Sequence, residues 1–296
     1  MAATFLRGPC RRLGVALVAA ALAPLAAAQD APDDPANPPN PDQPLPLWEL
    51  GLFGIGSYQA AYPGSDQLIA KGQLLPYGLW RGSVLRVADG GVGIRAYKTP
   101  RTEWSVSATG AFGGSANQVH ARDGMPAIGT LIEFGPALKV NLGDLIDARR
   151  DSRATRLELP LRAVFDVSDD LAYRGWTFEP RLSHTIWRNE RFAFALSGSL
   201  LFGDKSLDHM FYGVDPAYAR PGRPAYEARG GLIASRLGFS LGQRVTNTVR
   251  IRWFGQVESV RGAANESSPL VRAHEDAGIG FGVTWGAFQS SVAGVE

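Results

Sequence analysis

Histidine, cysteine and paired carboxylates are the side chains that most often carry chemistry, and this chain holds few of the first two. Its histidines are His120, His184, His209 and His274, and its one cysteine is Cys10. His209 follows Asp208, and His274 precedes Glu275 and Asp276. Neighbours along an extended strand point to opposite faces, so adjacency of this kind does not assemble a triad. No Gly-x-Ser-x-Gly elbow, His-Glu-x-x-His pair, phosphate loop or cysteine-based site is written in the chain. The reading is therefore a protein that is not an enzyme and uses neither metal nor cofactor. The absence of basic patches with interleaved aromatics, and of zinc or helix-turn-helix spacing, excludes nucleic acid as an expected partner.

What remains is charge at regular intervals. Glu133 and Lys139, then Arg156, Glu158 and Arg162, then Glu179 and Arg181 fall on every second position of successive segments that are apolar at the positions between. Leu157, Leu159, Leu161, Ala163 and Phe165 oppose the first arginine group, and Trp176, Phe178, Pro180 and Leu182 oppose Glu179 and Arg181. Period two is the signature of β-strands with two unlike faces. The same alternation runs through Asp276 to Phe288, where Ala277, Ile279, Phe281, Val283 and Trp285 share one face and Gly278, Gly280, Gly282, Thr284 and Gly286 the other. A soluble sandwich turns its apolar face to a core. A transmembrane barrel turns it to lipid and its polar face to a lumen.

Segment length favours the barrel, because these runs approach the roughly 9 to 11 residues that span a bilayer when tilted. Tryptophans near segment ends, Trp48, Trp80, Trp104, Trp176, Trp187, Trp253 and Trp285, suit interfacial girdles. A mean hydropathy of -0.08 agrees with alternating strands, which average near zero. The spacing predicts an all-β, antiparallel transmembrane barrel over residues 47–288 with about twelve strands, ten being the alternative count. Short turns (Arg81 to Ser83, Lys98 to Thr102, Arg188 to Glu190, Gly242 to Asn247) alternate with long loops (Ser57 to Lys71, Gly113 to Thr130, Gly203 to Pro224, Val260 to Glu275). Asp89 to Gly91 and Gly143 to Ala154 depart from that rhythm. Apolar parity also flips after Leu232, which predicts a bulge. No window reads as a helix.

Arg7, Arg11 and Arg12, the apolar run Leu13 to Leu25 and Ala26-Ala27-Ala28 make residues 1–28 a predicted secretory signal peptide. Cys10 would leave with it. Removal leaves 27 basic against 28 acidic residues, so the basic balance of the full chain belongs to the leader. Residues 29–46, rich in Pro, Asp and Asn, read as an extended, solvated and disordered linker. Residues 289–296 form a tail beyond Phe288.

Four short runs are more specific than the alternation: Tyr62-Pro63-Gly64-Ser65-Asp66, Leu75-Pro76-Tyr77 followed by Arg81-Gly82, Phe211-Tyr212-Gly213-Val214, and Ser268-Pro269-Leu270-Val271. The first reads locally as a β-turn. The third lies in the longest predicted loop, and the fourth anchors the loop before the closing strand. In this order the runs resemble the MltA-interacting protein / OmpV family of Gram-negative outer-membrane proteins, over essentially the whole chain after the linker. The resemblance implies an outer-membrane barrel bathed in lipid and lipopolysaccharide. Some members are regarded as scaffolds joining murein hydrolase and synthase, and others as porin-like. On the scaffold reading the contact surfaces are the linker and the turn carrying Asp144, Asp147, Arg149 and Arg150. On the channel reading the lumen charges carry a small solute. Such barrels usually finish on an aromatic residue, so here the insertion signal is internal or the tail folds back. Oligomeric state is not legible.

Overall fold

A computed structural model of the chain describes residues 46–81, 85–88, 91–99, 101–110, 119–143 and 155–292. The predicted signal peptide, the linker up to residue 45, the turn residues Asp144, Asp147, Arg149 and Arg150, and residues 293–296 of the tail lie outside the described residues.

The strands are β1 Trp48–Ala60, β2 Leu68–Arg81, β3 Leu85–Ala88, β4 Gly91–Lys98, β5 Thr102–Gly110, β6 Leu131–Gly143, β7 Thr155–Asp166, β8 Ala172–Phe178, β9 Arg181–Arg188, β10 Phe192–Gly203, β11 Gly231–Arg244, β12 Val249–Ser259 and β13 Glu275–Gln289. Each pairs antiparallel with its neighbours, and β13 pairs with β1, so the sheet closes into a ring. Closure leaves no edge with unpaired backbone groups, which a spanning sheet requires.

Among the described residues thirteen segments make twelve staves, because β8 and β9 both lie between β7 and β10. Their break falls at Glu179-Pro180, where proline has no amide hydrogen to donate. The wall is stitched across the break by Glu179 N–H to the Pro160 carbonyl (3.3 Å) and Leu200 N–H to the Pro180 carbonyl (3.2 Å). The expected twelve strands are therefore present.

Burial decides which face points where. Leu74, Leu161, Leu182, Leu237, Val257, Ile279, Phe281 and Trp285 are exposed on the outside, while Glu49, Arg156, Glu179, Arg236, Glu258 and Thr284 are buried inside. The barrel inversion holds. Rings on the outer wall include the exposed Trp187 stacked on Phe192 (6.0 Å, 17°) and the tilted, exposed Trp253 and Phe281 pair.

Several boundaries differ from the sequence reading. β1 runs on to Ala60 and β2 begins at Leu68, which shortens the predicted Ser57 to Lys71 loop to residues 61–67. β11 begins at Gly231 rather than Ala225, and its register with β10 skips Ile233, the bulge that the parity flip announces. The reading that no window is helical is corrected by one helix, α1, Lys205–Tyr212. Asp204 caps it, accepting the Leu207 amide at 3.0 Å, and Leu207 and Phe211, one turn apart, are buried together. A helix of eight residues has too few turns to stand out against the long alternating segments on either side.

The tail continues the β1–β13 ladder as far as Val292, with Ser290 N–H to the Trp48 carbonyl (2.9 Å) and Leu47 N–H to the Val292 carbonyl (2.8 Å). Phe288, opposite Leu50, points outward beside it.

Candidate functional site

Two structures occupy the inside of the ring: a belt of charge along the wall, and a cap built by the long loops over one mouth.

The belt follows from register. Residues facing each other across neighbouring strands run Glu103, Lys139, Glu158, Arg181, Ser199, Arg236, Glu258 and Asp276, from β5 to β13 without a gap. Opposite charges directly opposed on one face stabilise a strand pair, and like charges oppose it. The order is acid, base, acid, base, hydroxyl, base, acid, acid. Glu179, one step off the row at the β8–β9 break, closes the hydroxyl position. It accepts from Arg181 (3.0 Å), from Ser199 (2.8 Å) and from Arg236 Nη1 (3.2 Å). Arg236 Nε donates to Glu258. A second group is Glu133, which accepts from Arg162 (3.5 Å) and Thr177 (3.3 Å). Nearer the chain termini, Arg250 pairs with the fully buried Glu49, and Arg156 donates to Asn141 at 3.3 Å.

The polar face of β13 is covered by its neighbours. Its glycines form a trough: a Cβ on Gly278 would meet Gln59, one on Gly280 the Phe254 ring, one on Gly282 the Phe53 ring, and one on Gly286 the Glu49 carboxylate. Strands β1 and β12 lay their inward side chains across this bare backbone.

The cap stands at the opposite end from the termini. Tyr62 donates to the Leu270 carbonyl (2.7 Å), Tyr212 to the Pro63 carbonyl (2.9 Å), and Ser268 to the Tyr212 carbonyl (2.7 Å). Backbone amides of Arg272 and Ala273 both reach the Gly64 carbonyl. The Tyr62 and Tyr212 rings meet edge to face at 6.4 Å. Ser65, Phe211, Val214 and Leu270 are buried with them. Gly213 closes α1 by donating to the His209 carbonyl, and Asp66 and Pro269 complete the two loop turns. Three sequence runs far apart in the chain thus form one interlocked lid. The fourth, around Leu75-Pro76-Tyr77, lies in β2 and is not part of it. Burial pushes the Tyr62 hydroxyl up to about 12 and that of Tyr212 well above its usual range, so both stay protonated donors.

The profile for the family described as MltA-interacting protein MipA matches residues 52–287. The chain belongs to this family. It is an outer-membrane β-barrel of the MipA family. No curated protein matches it in sequence. Solved structures similar to it include a NanC porin (12% identity, 79% of this chain and 99% of that one, TM-score 0.40) and the outer membrane phospholipase A from Escherichia coli (14% identity, 83% and 93%, TM-score 0.34). The Pseudomonas putida toluene transporter TodX is a third (10% identity, 81% and 89%, TM-score 0.30). At these scores the likeness adds nothing to the ring of pairings.

The structure places all seven lumen residues read from the sequence on the inner wall of this MipA-family barrel: Glu133, Lys139, Arg156, Glu158, Arg162, Glu179 and Arg181. It adds Arg236, Glu258 and Ser199, which only cross-strand register brings into line, and joins to them Thr177 and Asp276, which alternation already puts on polar faces. In the cap it adds Arg122, which donates to the Phe211 carbonyl (3.0 Å), and Arg223, which donates to the Ala121, Asp123 and Tyr218 carbonyls. Burial lowers the affinity of the Arg122 guanidinium for its proton, with Tyr62 opposing and Arg223 adding to the shift. The histidines are dispersed: His120 lies near Asp123, His184 bonds Thr155 (2.7 Å), His209 bonds Asp215 (3.1 Å) and His274 lies near Glu266. Among the described residues no group of three or more metal-binding side chains is assembled.

Proposed function

We propose that this protein is a closed, non-enzymatic barrel of the Gram-negative outer membrane that works from its periplasmic face, as a scaffold on which murein hydrolases and synthases are recruited. One observation carries the reading: Glu133 with Arg162, and Glu179 and Glu258 with Arg181 and Arg236, are held in ion pairs on the inner wall while the interlocked loops cover the outer mouth. Charges that satisfy each other inside a barrel have little left with which to select or hydrate a passing solute. The description of the family, MltA-interacting, supports a murein enzyme as the partner. The chain termini and the short turns share the uncapped end, so the linker and the turn with Asp144, Asp147, Arg149 and Arg150 are the contact surfaces in this reading. Lipid and lipopolysaccharide surround the apolar outer wall.

The test is single-channel conductance of the refolded protein in a planar bilayer, with Arg162→Ala and Glu179→Ala beside it. A folded, heat-modifiable protein without steady conductance is the expected result. Steady conductance whose ion selectivity shifts in both variants would overturn the closed reading in favour of a porin-like channel. Pull-down from envelope extracts then probes recruitment: murein enzymes should be captured, and lost when the linker and the 143–154 turn are deleted. Capture of none would end the scaffold reading.

A further inference from the structure

One side chain of the cap is buried without the partners a carboxylate needs. Asp208, on the first turns of α1, is fully buried. Its Oδ2 accepts from Asn265 Nδ2 at 3.0 Å, while its Oδ1 is buried without a hydrogen-bond partner, lying over Gly203 next to Ile233. A buried carboxylate ordinarily faces a cation or several donors. Here the charged group acting on it from the start of the helix is another acid, Asp204, which is committed to capping by its bonds with the Leu207 and Trp176 amides, while Lys205 is turned to Glu227. His209, the next residue, is turned to Asp215. From the β12–β13 loop comes the neutral Asn265, and from the segment before β11 comes Arg229, which offers Asn265 only its backbone amide and carbonyl. Glu258 and Arg236 of the belt lie beyond Tyr212, engaged with each other. No cation is bonded to Asp208 among the described residues.

We infer that Asp208 is a protonation-controlled latch of the outer lid: as a neutral acid it holds α1 against the β12–β13 loop through Asn265, and on losing its proton it releases α1 from the cap. The energetic reason is an asymmetry. An unpartnered hydroxyl in a dry site costs little beside an unpartnered, charged oxygen next to a second carboxylate. Burial first, and Asp204 second, raise the Asp208 carboxyl from its ordinary 3.8 to about 7, with the Asn265 bond opposing. The sign follows from linkage. A carboxyl that binds its proton more tightly in the closed lid stabilises closure most below pH 3.8, and that stability is lost as pH rises toward 7. Above about 7 both states have lost the proton and the loss levels off. Opening should therefore grow about tenfold per pH unit across this window, about a thousandfold in all.

Amide hydrogen exchange on the refolded full chain in detergent micelles, normalised to the intrinsic rate at each pH, reads this directly. The reporters are the amides of Asp208, Gly213, Val214 and Tyr226, each bonded within or beside α1. Their protection should fall across pH 4 to 7 and then level, while amides of the β1–β13 ladder stay flat. Asp208→Asn, which keeps the shape and the Asn265 contact, should flatten the profile. Asp204→Asn, which keeps a good cap and removes the like charge, should move the levelling point to lower pH. The inference is overturned by lid protection that does not depend on pH, by the same dependence in Asp208→Asn, or by parallel loss in the β1–β13 ladder. None of these readouts involves conductance or a murein enzyme, so the latch and the scaffold fail separately.

Discussion

Arg236 is where the belt is most exposed to perturbation. Its guanidinium is buried between two carboxylates, Glu258 on the neighbouring β12 and Glu179, 3.2 Å away at the β8–β9 break on the far side of β10. Arg236→Met keeps most of the volume and removes the charge. Glu179 then still holds Arg181 and Ser199, but Glu258 is left in register with Asp276, acid against acid. Removing one partner of a buried pair commonly costs about 3–5 kcal/mol, most of it the exposure of the remaining charge to a site without water. The loss should appear as a lower urea midpoint for the refolded protein, read from the shift between folded and unfolded gel mobility. Glu258→Gln placed on top removes the stranded charge and should return about 1–3 kcal/mol, which a double-mutant cycle isolates. A single variant within about 1 kcal/mol of the parent, or a double variant as damaged as the sum of the two, would refute the pairing argument.

Three further outcomes are expected. Tyr212→Phe strips the donor from the buried Pro63 carbonyl and should cost the cap about 1–2 kcal/mol, visible as faster exchange in residues 61–67 with the strands unchanged. Gly280→Ala would place a methyl in the Phe254 ring and 2.7 Å from the Gly56 carbonyl oxygen, and should destabilise the barrel by about 1–3 kcal/mol in the same urea assay. Gly72→Ala, whose nearest neighbour would be the Ile55 carbonyl at 3.8 Å, is its control and should stay within about 0.5 kcal/mol.

How much of this could be read from the chain alone depends on the range of the interaction. Alternation is local, so the faces of β6, β7, β9 and β13 are visible residue by residue, and with them the inward placement of Glu133, Arg162 and Glu179. The bulge at Ile233 is also local, since it leaves a parity flip behind. The α1 cap at Asp204 with Leu207 and Phe211 one turn apart was present in the sequence too, but a few helical contacts are weak beside a long strand pattern. What could not be read is which acid meets which base. Arg236 meets Glu258 across 22 residues and Tyr62 meets Leu270 across 208, and nothing in either neighbourhood names the partner. The histidines agree that adjacency is not contact: His209 follows Asp208, yet its ring bonds Asp215 and Asp208 turns the other way, to Asn265.

The belt also answers why a barrel would carry so costly a row. Shifting any one strand by a single residue sends its whole inner face outward. For β7 that would put Arg156, Glu158 and Arg162 into hydrocarbon, at about 2–4 kcal/mol for each arginine near the midplane. A slip of two residues keeps the faces but breaks the opposition of Lys139 with Glu158 and of Glu158 with Arg181. Apolar alternation alone cannot penalise that second error, because it looks the same after two steps. A row of alternating charges can. The same residues that line the inner wall therefore select the one register in which the ring closes and in which the loops carrying Tyr62, Tyr212 and Ser268 arrive at the same mouth.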